Sequence, residues 1–331
     1  MDALLIQSLC IAALKTGPPL LMMDALLIQS LCIAALKTGT PLLIIALGEL
    51  ICEKTGVLNL GQEGMMLMGA MAGFAGAYFS GSLLVGILVA MLAGMLMALL
   101  FSVLTLTLNT NQVATGLALT IFGTGLSAFL GGSLVGSTIV GFKAMPIPLL
   151  SDIPFIGSLL FNHDLLVYLS FVLVVGAWWV LHKTRAGLII RAVGENPHSA
   201  NALGIEVIKV RYIVTLIGGA LAGLAGAYMS LAYTPMWMEN MTAGRGWIAL
   251  ALVVFASWRI GYLVLGAYLF GFTSIMHLMM QGVGVDISPN LLAMTPYVAT
   301  VVVMVLLSSN ELRQKLATPM SLGKPFDPKR H

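Results

Sequence analysis

Residues 83–107 read LLVGILVAMLAGMLMALLFSVLTLT, with no charged side chain in the run. As an α-helix at 1.5 Å per residue, this stretch is about 37 Å long, enough to cross the roughly 30 Å hydrocarbon core of a bilayer. It is apolar all round, as a lipid-facing or buried span is. Strict alternation is missing, so a transmembrane β-barrel strand is excluded. Similar windows recur on both sides. Bounded by polar, Gly or Pro punctuation, they predict helices at about 40–52, 61–80, 83–107, 112–132, 164–181, 211–233, 247–257, 261–280 and 291–308. The apolar stretch 25–36 is short for a span, and 247–257 is short beside a polar break, as in a discontinuous helix.

Composition agrees. The 331 residues carry 16 Lys and Arg, 13 Asp and Glu, a net charge of +3 and 59% apolar residues. Mean hydropathy is +1.00. Soluble domains are about a quarter charged; here 9% is charged. That excludes a cytosolic enzyme, a nucleic-acid binder and a disordered chain. The expected fold is all-α, a polytopic transmembrane bundle of about nine to ten spans. Cys10, Cys32 and Cys52 lie in apolar runs without metal spacing and read as small buried hydrophobes.

The segment MDALLIQSLCIAALKTG at 1–17 recurs identically at 23–39. A solenoid repeat recurs more often and diverges, so 1–22 reads as a duplicated segment. Met23 is then the expected start, with the transmembrane bundle over 23–310 and a tail over 311–331. Asp2 in place of a basic region argues against a signal peptide.

Lys and Arg orient the bundle. Ten of the 16 lie in two segments, 182–211 and the C-terminal tail, and both are expected in the cytoplasm. Counting nine crossings between these anchors places Lys54, the turn Asn109–Gln112 and Arg259 inside. It places the loop 133–163 and Asn240–Arg245 outside. Three Gly-x-x-x-Gly pairs, Gly69/Gly73, Gly132/Gly136 and Gly219/Gly223, mark close helix approach, read as packing within the chain rather than a dimer seam.

Polar groups at membrane depth are functional candidates. Between Gly48 and Gly64 lie Glu49, Glu53, Glu63, Asn59 and Gln62. Glu53 and Lys54 suit a membrane interface. Asn59, Gln62 and Glu63 sit at a span start beside glycines, where they either line a substrate path or cap a helix. Asn109–Gln112 reads as a capped turn. Asn196 and Pro197 start a short amphipathic helix that Gly204 closes, inside a basic loop; it is either a connector or a dock for a soluble partner. Glu239 and Arg245 flank the short span, with Asn240 beside them, as a substrate gate or as an ion pair of the Glu with the Arg. No G-x-x-x-x-G-K-[ST], H-E-x-x-H or G-x-S-x-G occurs, so nothing argues for ATP hydrolysis, metal catalysis or an intramembrane enzyme in this chain.

Three motifs together carry a resemblance. They are Glu53-Lys54-x-Gly56-Val57-Leu58-Asn59-Leu60-Gly61-x-Glu63-Gly64, Arg191-Ala192-Val193-Gly194-Glu195-Asn196-Pro197, and Thr242-Ala243-Gly244-Arg245-Gly246-Trp247. With them the chain resembles permease subunits of ABC importers for simple sugars and nucleosides, of the kind that work with basic-membrane-protein-type receptors. The likeness runs from about Met23 to Leu322–Phe326. It implies a membrane domain like that of the vitamin B12 importer (type II) and residence in the bacterial cytoplasmic membrane with a cytoplasmic C-terminus. The implied partners are a separate ATPase that binds the ATP, a second permease and an extracytoplasmic binding lipoprotein. It also implies that Gly194, Glu195, Asn196, Pro197, Ala200 and Gly204 couple to the ATPase, and that the helices near Asn59, Gln62 and Glu63 border the pathway, with Glu239 and Asn240 beside it. No cofactor is expected in the chain itself. The alternative is an ion-coupled secondary transporter that needs no ATPase. Two departures stand out: the duplication, and Ile260 where relatives carry Pro, which is expected to make the inner end of that helix more regular.

Overall fold

The computed structural model describes residues 20–148, 150–151, 153, 156–282, 288–308 and 318–327. Most of the duplicated segment lies outside them. The main helices are α1 (Leu20–Glu53), α2 (Gln62–Ser80), α3 (Leu83–Ser102), α4 (Gln112–Gly131), α5 (Ile156–Leu160), α6 (Leu165–Lys183), α7 (Arg185–Glu195), α8 (Pro197–Ala202), α9 (Val207–Tyr228), α10 (Arg245–Phe255), α11 (Ile260–Gly282) and α12 (Pro289–Ser308). Single π-helical turns extend α3 and α9. A two-residue ribbon, Met145–Pro146 against Asn162–His163, lies in the long loop after α4. The bundle is an all-α polytopic membrane fold, and each of the nine expected helices has a counterpart.

Helix α9 is the hub, and glycines let its neighbours come close. Gly218 meets Gly48 of α1, Gly219 meets Gly94 of α3, and Gly223 meets Gly69 of α2, each backbone to backbone. Without water to drive association, such close approach supplies the packing. The Gly69/Gly73 and Gly219/Gly223 pairs therefore pack within the chain, as expected, whereas Gly132 and Gly136 face open space. On the outer side of α3, Leu84, Leu88, Leu92 and Leu96 form an exposed stripe at four-residue spacing, a surface made for lipid or a second subunit.

Two expectations are corrected. The short apolar stretch 25–36 and the expected helix 40–52 prove to be one element, for α1 runs through Lys37-Thr38-Gly39-Thr40-Pro41 in a single helix of 34 residues. Gly39 lies against the Ala267 carbonyl and the Tyr268 ring in α11, and Gly271 against Gly39 in return. The crossing holds the segment helical, where backbone groups at depth must pair internally. At the other site, Ile260 is the first residue of α11, following a turn in which Ser257 and Trp258 adopt φ of 50° and 53°. A proline there would start a helix rather than bend one, so its loss does not remove the break.

Asn240–Arg245 also lies elsewhere than expected. Starting at the end that carries the basic loop, Leu58 N–H donates to Gln112 Oε1 (2.8 Å), Leu60 lies against Gly116, and Gly64 lies against Leu119, Thr120 and Gly123 of α4. Glu63 thus sits about 15 Å along α4 from Gln112 at 1.5 Å per residue. The loop 240–245 is bonded to Glu63, so it lies inside the helical layer and not on its outer face. From the far end of α9 the chain descends in extended form past Trp237, buried against Gly131. It then turns into α10, whose 11 residues make about 16 Å, half a bilayer. This stretch before and through α10 is therefore half extended and half helical.

Candidate translocation and coupling site

Glu63 clamps the mid-layer break. Its Oε1 accepts from the Thr242 hydroxyl (2.5 Å) and the Gly244 N–H (2.8 Å), and its Oε2 accepts from the Gly246 N–H (2.6 Å). These donors form the start of α10, whose free N–H groups and dipole favour a carboxylate. Gly246 is required here, because a Cβ would stand 2.6 Å from the Glu63 Cα. Beneath it, the fully buried Glu49 Oε1 accepts from the Asn59 N–H (3.0 Å), and its Oε2 accepts from the Gln62 amide. The Asn59 side chain turns back to the Gly61 N–H (2.9 Å). Asn59, Gln62 and Glu63 are thus buried and bonded to protein, a brace beneath α10. Gln62 Oε1 alone of these groups finds no hydrogen-bond donor.

Glu239 and Asn240 are exposed at this depth, beside Met238 and Ala243. Asn240 and Ala243 hold φ of 55° and 48°, and Gly244 82°. Arg245 donates to the carbonyls of Met241 (3.4 Å) and Thr242 (3.1 Å), which ties the loop to itself; the expected Glu239–Arg245 pair does not form among the described residues. At the other end of α10, the Trp258 indole N–H donates to Glu53 Oε2 (2.5 Å). The two acids flanking the α1–α2 turn therefore hold the two ends of α10. Sequence reading missed Trp258 and gave Glu49 and Thr242 no partner. The one signal for Glu49 was its i,i+4 spacing to Glu53 in an apolar helix.

The second part is the basic end. Asn196 caps α8 by accepting from Ser199 N–H (3.0 Å), and Pro197 occupies its first position. Gly204, at φ 83°, ends the turn. Ala200 is buried with Val193, Val207 and Phe326. His198, Ser199, Asn201 and Leu203 point outward, Leu203 at 83% exposure. Gly194 packs against the Lys54 carbonyl, and Glu195 ends α7 in the open. Burial lowers the Lys54 ammonium from its ordinary pKa, and the Glu195 charge opposes that shift.

The C-terminal tail straps these pieces together, a role the sequence did not signal. The Ser321 hydroxyl donates to the Gly194 carbonyl (2.6 Å), and Gly323 N–H donates to that of Gly56 (3.0 Å). Arg211, fully buried at the start of α9, donates to the carbonyls of Thr55 (3.0 Å) and Lys324 (3.3 Å) and to Ser321 Oγ (3.2 Å). Phe326 stacks edge-on to His198, centroids 5.2 Å apart. The α1–α2 turn, α7, α8, α9 and the tail form one assembly at the foot of the clamped break.

The comparisons agree with this architecture. Residues 31–308 match the family described as the permease component of branched-chain amino acid transport systems. A Haloferax volcanii protein provisionally named a glucose ABC transporter permease, TsgC13, is 42% identical over 75% of this chain and 76% of its own. The nucleoside ABC transporter permease NupC of Lactococcus lactis is 33% identical over 82% and 89%. The guanosine ABC transporter permease NupQ of Bacillus subtilis is 32% identical over 78% and 85%. No solved structure matches. The chain belongs to this family of ABC transporter permeases and is a multi-pass membrane protein.

Proposed function

We propose that the chain forms one half of the path of an ATP-driven importer for a nucleoside or simple sugar in the bacterial cytoplasmic membrane. One observation carries the reading. Non-helical backbone at membrane depth is tolerated only where protein buries it or where it lines a hydrated cavity, and Met238, Glu239, Asn240 and Ala243 are exposed there. Glu239 and Asn240 border the path and supply the hydrogen-bonding groups a polyhydroxylated substrate needs. Asn59, Gln62 and Glu63 set the position of that loop.

ATP is hydrolysed by a separate ATPase, which docks on the outward side of α8. Gly194, Glu195, Asn196, Pro197, Ala200 and Gly204 form or support the dock. The tail and the α1–α2 turn pass the movement to the clamp at Glu63. A second permease completes the path, and an extracytoplasmic binding lipoprotein delivers the substrate, so the C-terminus is cytoplasmic. The names of the nucleoside and sugar permeases among the relatives support the substrate class.

Reconstitution into proteoliposomes with the partner permease and ATPase tests this. Radiolabelled guanosine or glucose enters only with ATP and an active ATPase. Uptake by the chain alone under an ion gradient overturns the reading in favour of an ion-coupled secondary transporter.

A further inference from the structure

A cavity of about 760 Å³ opens at the basic end between α6, α7 and the turn before α11. Its walls carry three fixed cations, Lys54, Arg191 and Arg259, together with His182, against one lining carboxylate, Glu195. Arg191, His182 and Arg259 are exposed. Two of the other lining residues are apolar and open to the surface: Trp178, 46% exposed, and Leu188, 61% exposed. Trp178 and its exposed neighbour Trp179 lie one turn before His182 and Lys183, which end α6. An aromatic pair followed by bases at the end of a span marks the membrane–water interface.

We propose that this cavity binds the phosphate of an anionic phospholipid headgroup at the cytoplasmic surface. Basic pockets between transmembrane helices at that surface suit such headgroups. The exposed Leu188 and the Trp178 ring supply an apolar edge for the glycerol and upper acyl chain, which a site for a free anion does not need. Arg191 and Arg259 present planar forks matched to phosphate oxygens. The charges of Arg191 and Arg259 both depress the Lys54 pKa, a mutual repulsion that a bound phosphate relieves. The walls join Lys54 of the α1–α2 turn to Glu195 at the end of α7, so a bound headgroup bridges the two elements flanking the foot of the break. The site is independent of the transported substrate.

Native mass spectrometry of the full chain, purified in detergent and titrated with phosphatidylglycerol, phosphatidylcholine or inorganic phosphate, tests the site. Phosphatidylglycerol is expected to bind more tightly than phosphatidylcholine, and Arg191→Gln and Arg259→Gln each to weaken it about fivefold, from the roughly 1 kcal/mol that each base contributes near an anionic surface. Arg191→Lys, which keeps the charge, retains most of the binding. Equal binding of the two lipids overturns the proposal, as does inorganic phosphate displacing the lipid at equal concentration, which assigns the site to a free anion. If the Gln variants keep lipid affinity and instead lose association with the ATPase, the cations serve a protein carboxylate and the proposal also fails. Circular dichroism and monodispersity of each variant separate loss of the site from loss of the fold.

Discussion

Gly246 donates its backbone N–H to Glu63 Oε2 at 2.6 Å across 183 positions of sequence, joining the first turn of the half-helix to the first turn of α2. Two further donors, Thr242 and Gly244, saturate the other carboxylate oxygen. All three bonds need an acceptor at both oxygens. Glu63→Gln replaces one acceptor with an amide donor facing a donor, leaving a buried group unsatisfied at a cost of about 3 kcal/mol. The variant is expected to melt several degrees lower in detergent and to lose substrate uptake. Thr242→Val removes one bond of the three and costs about 1 kcal/mol. A Glu63→Gln chain with wild-type melting would show that the clamp does not hold the break.

The cap of α8 offers a test at the other end. Asn196→Ala removes the acceptor of the Ser199 N–H, at about 1 kcal/mol of local helix stability. Pro197→Ala loosens the first turn by restoring conformational freedom to the unfolded segment. Both are expected to reduce ATPase co-purification and ATP-driven uptake while membrane insertion stays normal. Leu203→Asp, at the most exposed apolar position of the turn, puts a charge in the docking surface and is expected to weaken association further. Full association in all three variants would remove α8 as the dock.

Much of this was legible because a bilayer simplifies the code. Apolar windows gave nine of the twelve main helices, and the Lys and Arg count placed 182–211, Lys54 and Arg259 at one end. Asn196, Pro197 and Gly204 carry local backbone preferences, so α8 could be read from them directly. The failures concern long-range partners. Lys37–Pro41 looks like a boundary because nothing in its own composition reveals the close approach of Gly271. Glu63 reads equally as a path-lining or a capping carboxylate, and its bonds to Thr242, Gly244 and Gly246 come from a loop that no local pattern connects to it. The extended half of the crossing before α10 has too little apolar periodicity to disclose its depth. Ser321 and Phe326 sit in a short polar tail with no pattern of their own.

The tail makes a separate prediction. Phe326 is buried against Val193, Ala200 and Val207, and Phe326→Ala removes a ring whose burial is worth about 2 kcal/mol. Amide exchange over 193–207 is expected to quicken, with the α2–α3 core unchanged. ATP-driven uptake is expected to fall without loss of membrane insertion. Ser321→Ala, which removes the hydroxyl bond to the Gly194 carbonyl and one Arg211 contact but keeps the backbone N–H bond to that carbonyl, acts in the same direction. Unchanged exchange in both variants would show that the strap does not hold the coupling segment.

Asp164 gives a pH signature at the far end of the bundle. Its Oδ1 caps α6 by accepting from the N–H groups of Leu166 (3.0 Å) and Val167 (3.1 Å). Burial raises its pKa above the ordinary aspartate value, the two cap bonds and the Lys37 charge opposing that shift only in part. A carboxyl with a raised folded-state pKa contributes stability below the unfolded value and loses it as the pH climbs through the folded one. The wild-type melting temperature should therefore carry a component that falls as the pH rises above the ordinary aspartate range. Asp164→Asn keeps the Oδ1 acceptor without the charge, so the difference between wild type and this variant should shrink toward acid pH and favour the variant at neutral pH. Asp164→Ala loses the cap and is expected to be about 1 kcal/mol less stable than the Asn variant across the range. Parallel melting curves for wild type and Asp164→Asn would mean that burial of this carboxyl is relieved by solvent in the folded protein.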